Sequence, residues 1–315
     1  MGKVEMQASR DYYGRTLVEL GKENKNIVVL DADLSQSTRT CIFQKEFPDR
    51  FFNFGVAECN MIGFAAGLAL SGKIVFVSSF AMFSVLRPLE QIRNSIAAQN
   101  LNVKIVASHA GISVGEDGLS HQTVEDIAIM RSIPNMQVFV PADAVSTVKI
   151  VKEAVRINGP VYIRLTRPKT PVIYDESYSF QRGKANIIKE SAKADIALVA
   201  TGLMVNEALK VSKMLEEDGY STTVADFASI KPIDRETLVR IAKSSRALVT
   251  IEEHSVIGGL GSAVCEILSE EYPVRVMRVG IMDVFGESGT TDNLFKHFGL
   301  TAEDIYRKIL KQKLL

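Results

Sequence analysis

Short apolar runs alternate with longer amphipathic stretches along this chain of 315 residues. NIVVL (26–30), KIVFVSS (73–79) and VKIVAS (103–108) have little polar alternation, which is typical of strands buried on both faces of a parallel sheet. Segments of helical length lie between and after these runs, including 58–70, a long amphipathic stretch at 82–98, and 143–156. Strands that alternate with helices in this way predict an α/β fold with a doubly wound parallel sheet.

The alternation is interrupted after Arg167. The stretch PKTPVIYDESYSFQRGKANI is rich in proline, tyrosine and charged residues and has no long period. Alternation resumes with IALVAT (196–201) and continues through RALVTIEE (246–253). We therefore predict two doubly wound domains, at 1–175 and, smaller, at 193–315, joined by a linker at 176–192. A length of 315 residues agrees with two domains.

Composition excludes several classes of protein. Lysine plus arginine and aspartate plus glutamate both number 37, so no basic field predicts binding to nucleic acid or to an anionic membrane. No apolar run approaches the roughly 20 residues that span a bilayer. The 3 cysteines are far apart and form neither a disulfide framework nor a zinc-type pair. We expect a cytoplasmic protein with no membrane or nucleic-acid partner.

The stretch FFNFGVAECNMIGFAAGLAL (51–70) predicts a buried strand, a turn at Gly55 and a helix dense in small residues. Gly63 and Gly67 each lower helix stability by roughly 1 kcal/mol relative to alanine, which favours close packing against another element. Glu58 stands where the strand passes into the helix. It is either an ordinary first-turn glutamate that stabilises the helix start or a buried functional carboxylate.

A glycine-rich loop follows the strand at 103–108. His109 and His121 bracket it, and it contains Glu116 and Asp117. Histidines and a carboxylate can donate to and accept from a polar substrate near neutral pH. A solvated turn is the alternative. A metal loop is not favoured, because calcium needs more regularly spaced oxygen ligands and structural zinc usually includes cysteine.

FGVAECNMIGFAAGLAL together with HAGISVGEDGLSHQTVEDIAIMRSIPNMQVFVPAD resembles the transketolase family of thiamine-diphosphate enzymes. EEHSVIGGLGSAVCEIL is similar to that family's C-terminal domain, and the resemblance covers nearly the whole chain. The Gly-Asp-Gly motif by which the family's N-terminal domain holds magnesium and the cofactor's diphosphate does not occur here. The resemblance thus implies a pyrimidine-binding domain plus a C-terminal domain. It also implies a partner subunit that supplies the diphosphate-binding domain and Mg²⁺, in a complex with two copies of each chain.

The resemblance also implies roles on the cofactor side of the site. Glu58 matches the glutamate that contacts the ring nitrogen N1′ of the cofactor's aminopyrimidine and favours its imino form. Phe80 and Phe83 match aromatic residues that line the pyrimidine pocket, although two core phenylalanines are the alternative. Asp33 matches an aspartate near the cofactor, and a helix N-cap is its alternative.

The sugar side follows in the same way. His109 and His121 match histidines that hydrogen-bond the hydroxyls and the developing oxyanion of the ketose. Asp117 matches the residue that reads a hydroxyl's stereochemistry. We assign no role to His254.

Arg10, Ser37 and Arg167 match the family's phosphate-binding residues at the mouth of the substrate channel. A guanidinium is well suited to a phosphate, although single surface arginines are often only solvated. Leu86 and Ala110 depart from the tyrosine and aspartate that some family members have, which leaves details of cofactor packing and substrate preference open.

The resemblance therefore implies the C-terminal subunit of a two-chain transketolase. Such an enzyme moves a two-carbon ketol unit from a ketose phosphate to an aldose phosphate through an enamine on thiamine diphosphate. Related possibilities are a subunit like 1-deoxyxylulose-5-phosphate synthase, the beta subunit of a 2-oxo-acid dehydrogenase, or a non-catalytic assembly subunit. The histidine-bracketed loop favours sugars over 2-oxo acids, and assembly alone needs none of Glu58, His109, Asp117 and His121.

Overall fold

The structure is a computed structural model that describes residues 5–312 and Leu314. It confirms the predicted α/β class, with a parallel-sheet first unit and a smaller second unit. The strands are β1 Met6–Gln7, β2 Ile27–Asp31, β3 Phe51–Asn53, β4 Ile74–Phe80, β5 Val103–Ser108, β6 Gln137–Phe139, β7 Val161–Arg164, β8 Thr170–Pro171, β9 Asn186–Lys189, β10 Ala194–Ala200, β11 Thr222–Asp226, β12 Ser229–Lys231, β13 Ser245–Ser255 and β14 Arg275–Ile281.

The helices surround two main sheets. They are α1 Ser9–Glu23, α2 Ser35–Thr38, α3 Cys41–Glu46, α4 Glu58–Leu70, α5 Ala81–Leu86, α6 Leu89–Gln91, α7 Asp126–Ser132, α8 Ala144–Arg156, α9 Met204–Glu217, α10 Arg235–Lys243, α11 Leu260–Glu271, α12 Thr291–His297 and α13 Ala302–Lys311. Two 3₁₀ segments span Pro48–Arg50 and Ile112–Asp117, and a π-helical segment spans Ile92–Ala97.

The larger sheet has the strand order β12-β6-β7-β5-β4-β2-β3. Its pairs are parallel except at β12, which runs antiparallel to β6. The order places β2, β4, β5 and β7 in its interior, and their residues are almost all buried. Burial on both faces explains why these strands read as continuous apolar runs.

The smaller sheet has the order β14-β13-β10-β11-β9, and only β9 is antiparallel to its neighbour. β12 lies between β11 and α10 in the chain but pairs with β6 of the larger sheet. The second unit therefore supplies an edge strand to the first. This strand was not predicted from the sequence, because three residues are too few to show a period. The domain bounds 1–175, 176–192 and 193–315 stay a prediction.

Two helical regions differ from the sequence pattern. The amphipathic stretch from 82 to 98 divides into α5, α6 and the π-helical segment, with the first break beside Pro88, whose ring cannot continue a helix. Helix α1, which contains Gly14 and Gly21, was not predicted from the sequence. A Cβ at Gly14 would lie 2.5 Å from the carbonyl oxygen of Arg39, and one at Gly21 would lie 2.7 Å from the ring of Phe43. These glycines allow close packing that only the tertiary structure reveals.

None of the helices in residues 5–312 is long and apolar enough to cross a membrane.

Candidate active site

The predicted site residues lie beyond the carboxyl ends of strands in the larger sheet, which is where ligands bind in doubly wound folds. Asp33 and Ser37 follow β2, and Glu58 follows β3. Phe80 ends β4, with Phe83 in the next helix. The remaining members on this side are His109 after β5 and Arg167 after β7.

Glu58 is the first residue of α4 and is only 4% exposed. Its Oε1 accepts a hydrogen bond from Nη1 of Arg87 at 2.7 Å. No described residue forms a hydrogen bond with its Oε2. The start of a helix is electrostatically favourable for a carboxylate. The structure therefore presents a buried carboxylate with one oxygen open to a ligand.

Aromatic rings form a continuous wall beside this carboxylate. The rings of Phe80 and Phe83 stack with centroids 5.9 Å apart and planes inclined by 17°. The imidazole of His109 stacks on Phe80 at 3.8 Å, and His121 meets Phe83 edge-on at 5.2 Å. The guanidinium carbon of Arg87 lies 4.1 Å from the centre of the Phe83 ring. Five of the residues predicted from sequence are thus in one contiguous cluster that joins the cofactor side to the sugar side: Glu58, Phe80, Phe83, His109 and His121.

His109 has a defined tautomer. Nη1 of Arg10 lies 3.4 Å from its Nε2, and because arginine can only donate, Nε2 is the acceptor. Nδ1 then carries the proton and donates to Oγ of Ser108 at 2.9 Å. Burial, with the charges of Arg10 and Arg167, lowers the pKa of His109 to about 3. His109 is therefore a neutral imidazole at physiological pH and acts as a hydrogen-bonding group.

Arginines converge on the same side of His109. Nη1 of Arg10 donates to the carbonyl oxygen of Ser37 at 3.0 Å, and no described residue forms a hydrogen bond with the Ser37 hydroxyl. Burial and the positive charges of Arg39 and Arg167 lower the pKa of Arg10, although Asp11 opposes them. Guanidinium groups that lie near one another create a positive potential that can attract an anion, although Arg39 is also paired with Asp11.

Arg167 connects this cationic region to the loop 109–121. Its Nη1 donates to the carbonyl oxygen of Val114 and lies 3.4 Å from Oε2 of Glu116. Oδ2 of Asp117 is 3.9 Å from the same nitrogen. Gly111 and Gly118 in this loop have φ values of +78° and +72°, which glycine adopts without strain. The structure thus brings Arg167 and Asp117 together at the rim of the cluster.

Asp33 is the predicted site residue that touches none of the others. Its backbone has a φ of +65°, and its Oδ1 accepts from Nδ2 of Asn53 at 3.3 Å. It does not cap α2, since Leu34 occupies the N-cap position and no side chain caps it. Asp31 instead accepts from the backbone N–H of Leu34 at 2.7 Å.

Sequence reasoning missed Arg87 and Glu253. Arg87 stands four residues after Phe83, a spacing that places two residues on one face of a helix and could have indicated the contact. Glu253 lies at the end of β13 in the smaller sheet, and Oε1 of its side chain accepts from the backbone N–H of Ser113 at 2.6 Å. No local sequence signal connects Glu253 with Ser113, because the two residues are separated by 140 positions.

The cluster fits the aminopyrimidine of thiamine diphosphate. The planar guanidinium of Arg87 contacts the Glu58 carboxylate and the Phe83 ring at the same time. A planar ring that bears nitrogen can therefore make both contacts, once the half-exposed Arg87 side chain moves out of this position.

Within the part of the chain that the structure describes, no three His, Cys, Asp or Glu side chains are grouped so as to hold a metal ion.

Comparison with known proteins finds a family match for each half of the chain. Residues 5–172 match the family described as "Transketolase, pyrimidine binding domain", and residues 183–305 match "Transketolase, C-terminal domain". The chain is similar to the "Putative transketolase C-terminal section" of Methanocaldococcus jannaschii, at 52% identity over 96% of this chain and 95% of that protein.

Two further similarities have nearly full coverage. The "6-deoxy-6-sulfo-D-fructose transketolase subunit SqwH" of Clostridium sp. is 43% identical over 97% of this chain and 94% of its own length. The solved structure "Split gene transketolase, inactive beta4 tetramer" superposes with a TM-score of 0.90 at 54% identity and covers 97% of this chain and 98% of that one.

Proposed function

The chain belongs to the transketolase family, and from that premise we propose that it is the C-terminal subunit of a two-chain transketolase. It transfers a two-carbon ketol unit from a ketose phosphate to an aldose phosphate, with thiamine diphosphate as the cofactor. The observation that carries the proposal is the single cluster in which Arg87 joins buried Glu58 to the Phe80–Phe83 stack, against which His109 and His121 pack.

Each residue has a role that follows from its surroundings. Thiamine diphosphate, when bound, supplies a carbon nucleophile that carries the two-carbon unit between sugars. Glu58 exchanges a proton with the pyrimidine nitrogen through its open carboxylate oxygen, and Phe83 orients the ring by stacking. The apolar wall excludes water from this contact, which strengthens it.

The sugar is bound by the loop side of the cluster. Neutral His109 and the adjacent His121 hydrogen-bond the ketose hydroxyls and the oxygen on which charge develops. Asp117 accepts a hydrogen bond from a hydroxyl and so distinguishes stereoisomers. Arg10, Arg167 and the hydroxyl of Ser37 bind the terminal phosphate, because the arginines form a cationic site at the rim.

We place the diphosphate and its Mg²⁺ on an N-terminal partner subunit, in a cytoplasmic complex with two copies of each chain. Support comes from the relatives, since one is named a C-terminal section, another a subunit and a third a split-gene transketolase. The β4 tetramer of that split-gene transketolase is described as inactive. Asp33, which lies exposed beside Asn53, is assigned to the cofactor side of the completed site.

Calorimetric titration with thiamine diphosphate and Mg²⁺ tests the divided site. The chain alone should give no magnesium-dependent binding, and the chain with its N-terminal partner should bind the cofactor. Tight magnesium-dependent binding by the chain alone would overturn the proposal. The reconstituted complex should then turn over a ketose phosphate with an aldose phosphate. Turnover of pyruvate in its place would favour a related synthase or dehydrogenase.

A further inference from the structure

We propose that Glu253, in the C-terminal domain, is a positioning residue that holds the loop 109–121 where Asp117 and His121 reach the donor sugar. The inference rests on the proposed function, because that function assigns the loop to the sugar. It also gives the C-terminal domain a part in the reaction, although the predicted cofactor and substrate residues all come from the first domain.

The Glu253 carboxylate lies directly against the loop backbone. Its Oε1 accepts from the N–H of Ser113 at 2.6 Å, and the side chain is 1% exposed. A Cβ on Gly111 would lie 2.6 Å from Oε2 and closer still to the other carboxylate atoms. Only glycine at 111 therefore allows the carboxylate to reach the N–H of Ser113.

Glu253 is itself held in place by the buried side chain of Arg164. Nη2 of Arg164 donates to the carbonyl oxygen of Glu253 at 2.9 Å, and Nη1 lies 3.8 Å from its Oε2. Nε of Arg164 donates to Oδ2 of Asp126 at 2.8 Å, and the Tyr162 hydroxyl donates to the same oxygen at 2.6 Å. A buried group fixed by such a network can hold the loop to a narrow geometry.

The C-terminal domain binds the loop at further points around this contact. Oγ1 of Thr291 donates to the carbonyl oxygen of Ser113 at 3.3 Å, so both backbone polar groups of Ser113 bind side chains of that domain. Nε2 of Gln122 donates to the carbonyl oxygens of Ile112 and Glu287 at 3.3 and 2.9 Å. The loop is therefore tied to the second domain at Ser113 and, through Gln122, directly after its last residue.

Fold stability alone does not account for a carboxylate at 253. Burial raises its pKa to about 7, and Oε2 has no hydrogen-bond partner among the described residues. A buried carboxylate that is only partly satisfied is weak evidence for a stabilising role. A positioning role explains the group, because it is the acceptor that the Ser113 N–H requires.

Glu252 is a matched control. It precedes Glu253 on β13 and is also fully buried, yet its two oxygens accept from the backbone N–H groups of Leu260 and Gly261 at the start of α11. Replacing Glu252 removes an equally buried carboxylate from the same strand without touching the loop. Glu253→Ala removes the acceptor for Ser113, whereas Glu253→Gln keeps an acceptor oxygen of similar size.

Hydrogen exchange on the purified chain tests the contact without any activity. Glu253→Ala should accelerate amide exchange in residues 111–121 by about 10-fold or more and leave 256–265 at the wild-type rate. Glu252→Ala should accelerate exchange in 256–265 and leave 111–121 at the wild-type rate. Glu253→Gln should exchange slowly in the loop, as the wild type does. Unchanged exchange in 111–121 for Glu253→Ala would overturn the positioning role, whether or not the complex proves to be a transketolase.

Kinetics of the reconstituted complex test the consequence. Glu253→Ala should raise KM for the donor ketose by about 10- to 100-fold, since small misplacements of binding groups have effects of that size. Its affinity for thiamine diphosphate should stay at the wild-type value, Glu253→Gln should recover most of the loss, and Glu252→Ala should keep the wild-type KM. A Glu253→Ala complex with wild-type KM would overturn the proposal. A wild-type complex without ketol transfer would overturn the proposed function instead.

Discussion

Nη1 of Arg87 donates a hydrogen bond to Oε1 of Glu58 at 2.7 Å while its guanidinium lies over the ring of Phe83 at 4.1 Å. One planar cation thus touches a buried carboxylate and an aromatic face at the same time. A planar, nitrogen-bearing ring in place of the guanidinium would meet the same two groups. Phe83 has an intermediate exposure, so its ring is not enclosed in the core.

Replacing Glu58 with Gln in the reconstituted complex should lower turnover by roughly 100- to 10,000-fold, the range for loss of a positioned proton-transfer group. The amide keeps the shape of the side chain but does not take up the proton. Steady-state turnover of a ketose phosphate measures the effect, with thermal unfolding to check folding. Glu90→Gln, at an exposed glutamate, is the control and should retain wild-type turnover. Wild-type activity in Glu58→Gln would contradict the assigned role.

Arg167→Ala should raise KM for a phosphorylated donor by about 10- to 100-fold more than for the unphosphorylated sugar. A charge-assisted hydrogen bond contributes roughly 1.5–3 kcal/mol, which corresponds to that ratio. Arg167 also holds the carbonyl of Val114, so a loop effect would raise both constants together, and the ratio isolates the phosphate. Arg182→Ala removes an exposed arginine as the control. Equal changes for both sugars would show that Arg167 does not bind phosphate.

His109 should make the fold less stable as pH falls below about 6.5. Its pKa is lowered from 6.5 to about 3, first by burial. Between those values the unfolded chain binds one more proton than the folded chain, so the free energy of unfolding decreases with falling pH by up to about 1.4 kcal/mol per unit. Urea unfolding at pH 4.5–7 should give His109→Gln a shallower slope than wild type. A wild-type slope in His109→Gln would refute the assignment.

Gly111→Ala should be more destabilising than Gly72→Ala. Both glycines have positive φ values, +78° and +83°, which strain alanine, and Gly111 also has a ψ of −170°, a combination that essentially only glycine adopts. A Cβ at 72 meets nothing within 4 Å, whereas one at 111 overlaps the Glu253 carboxylate, which adds about 1–3 kcal/mol. Urea denaturation of the two variants measures the difference. An equal decrease in the free energy of unfolding for the two variants would contradict a close contact between the loop and Glu253.

Much of the fold was readable from local pattern. The interior strands and the α/β class follow from continuous apolar runs separated by segments of helical length, because burial on both faces leaves few polar positions in a strand. The predicted site residues also lie on one edge of the larger sheet, since parallel strands present their carboxyl ends together. Helix α1 and strand β12 were not predicted. The first depends on close packing at Gly14 and Gly21, and the second is only three residues long.

The sequence by itself determined the candidate functional groups and, through their order along alternating strands and helices, the edge of the sheet where most of them gather. Only the tertiary structure decided that Arg87 bridges Glu58 and Phe83, that His109 is neutral beside Arg10, and that Glu253 of the second domain reaches Ser113. These relationships depend on burial and on contacts between residues distant in the chain. Local propensity encodes neither the desolvation of an imidazole nor the meeting of two domains.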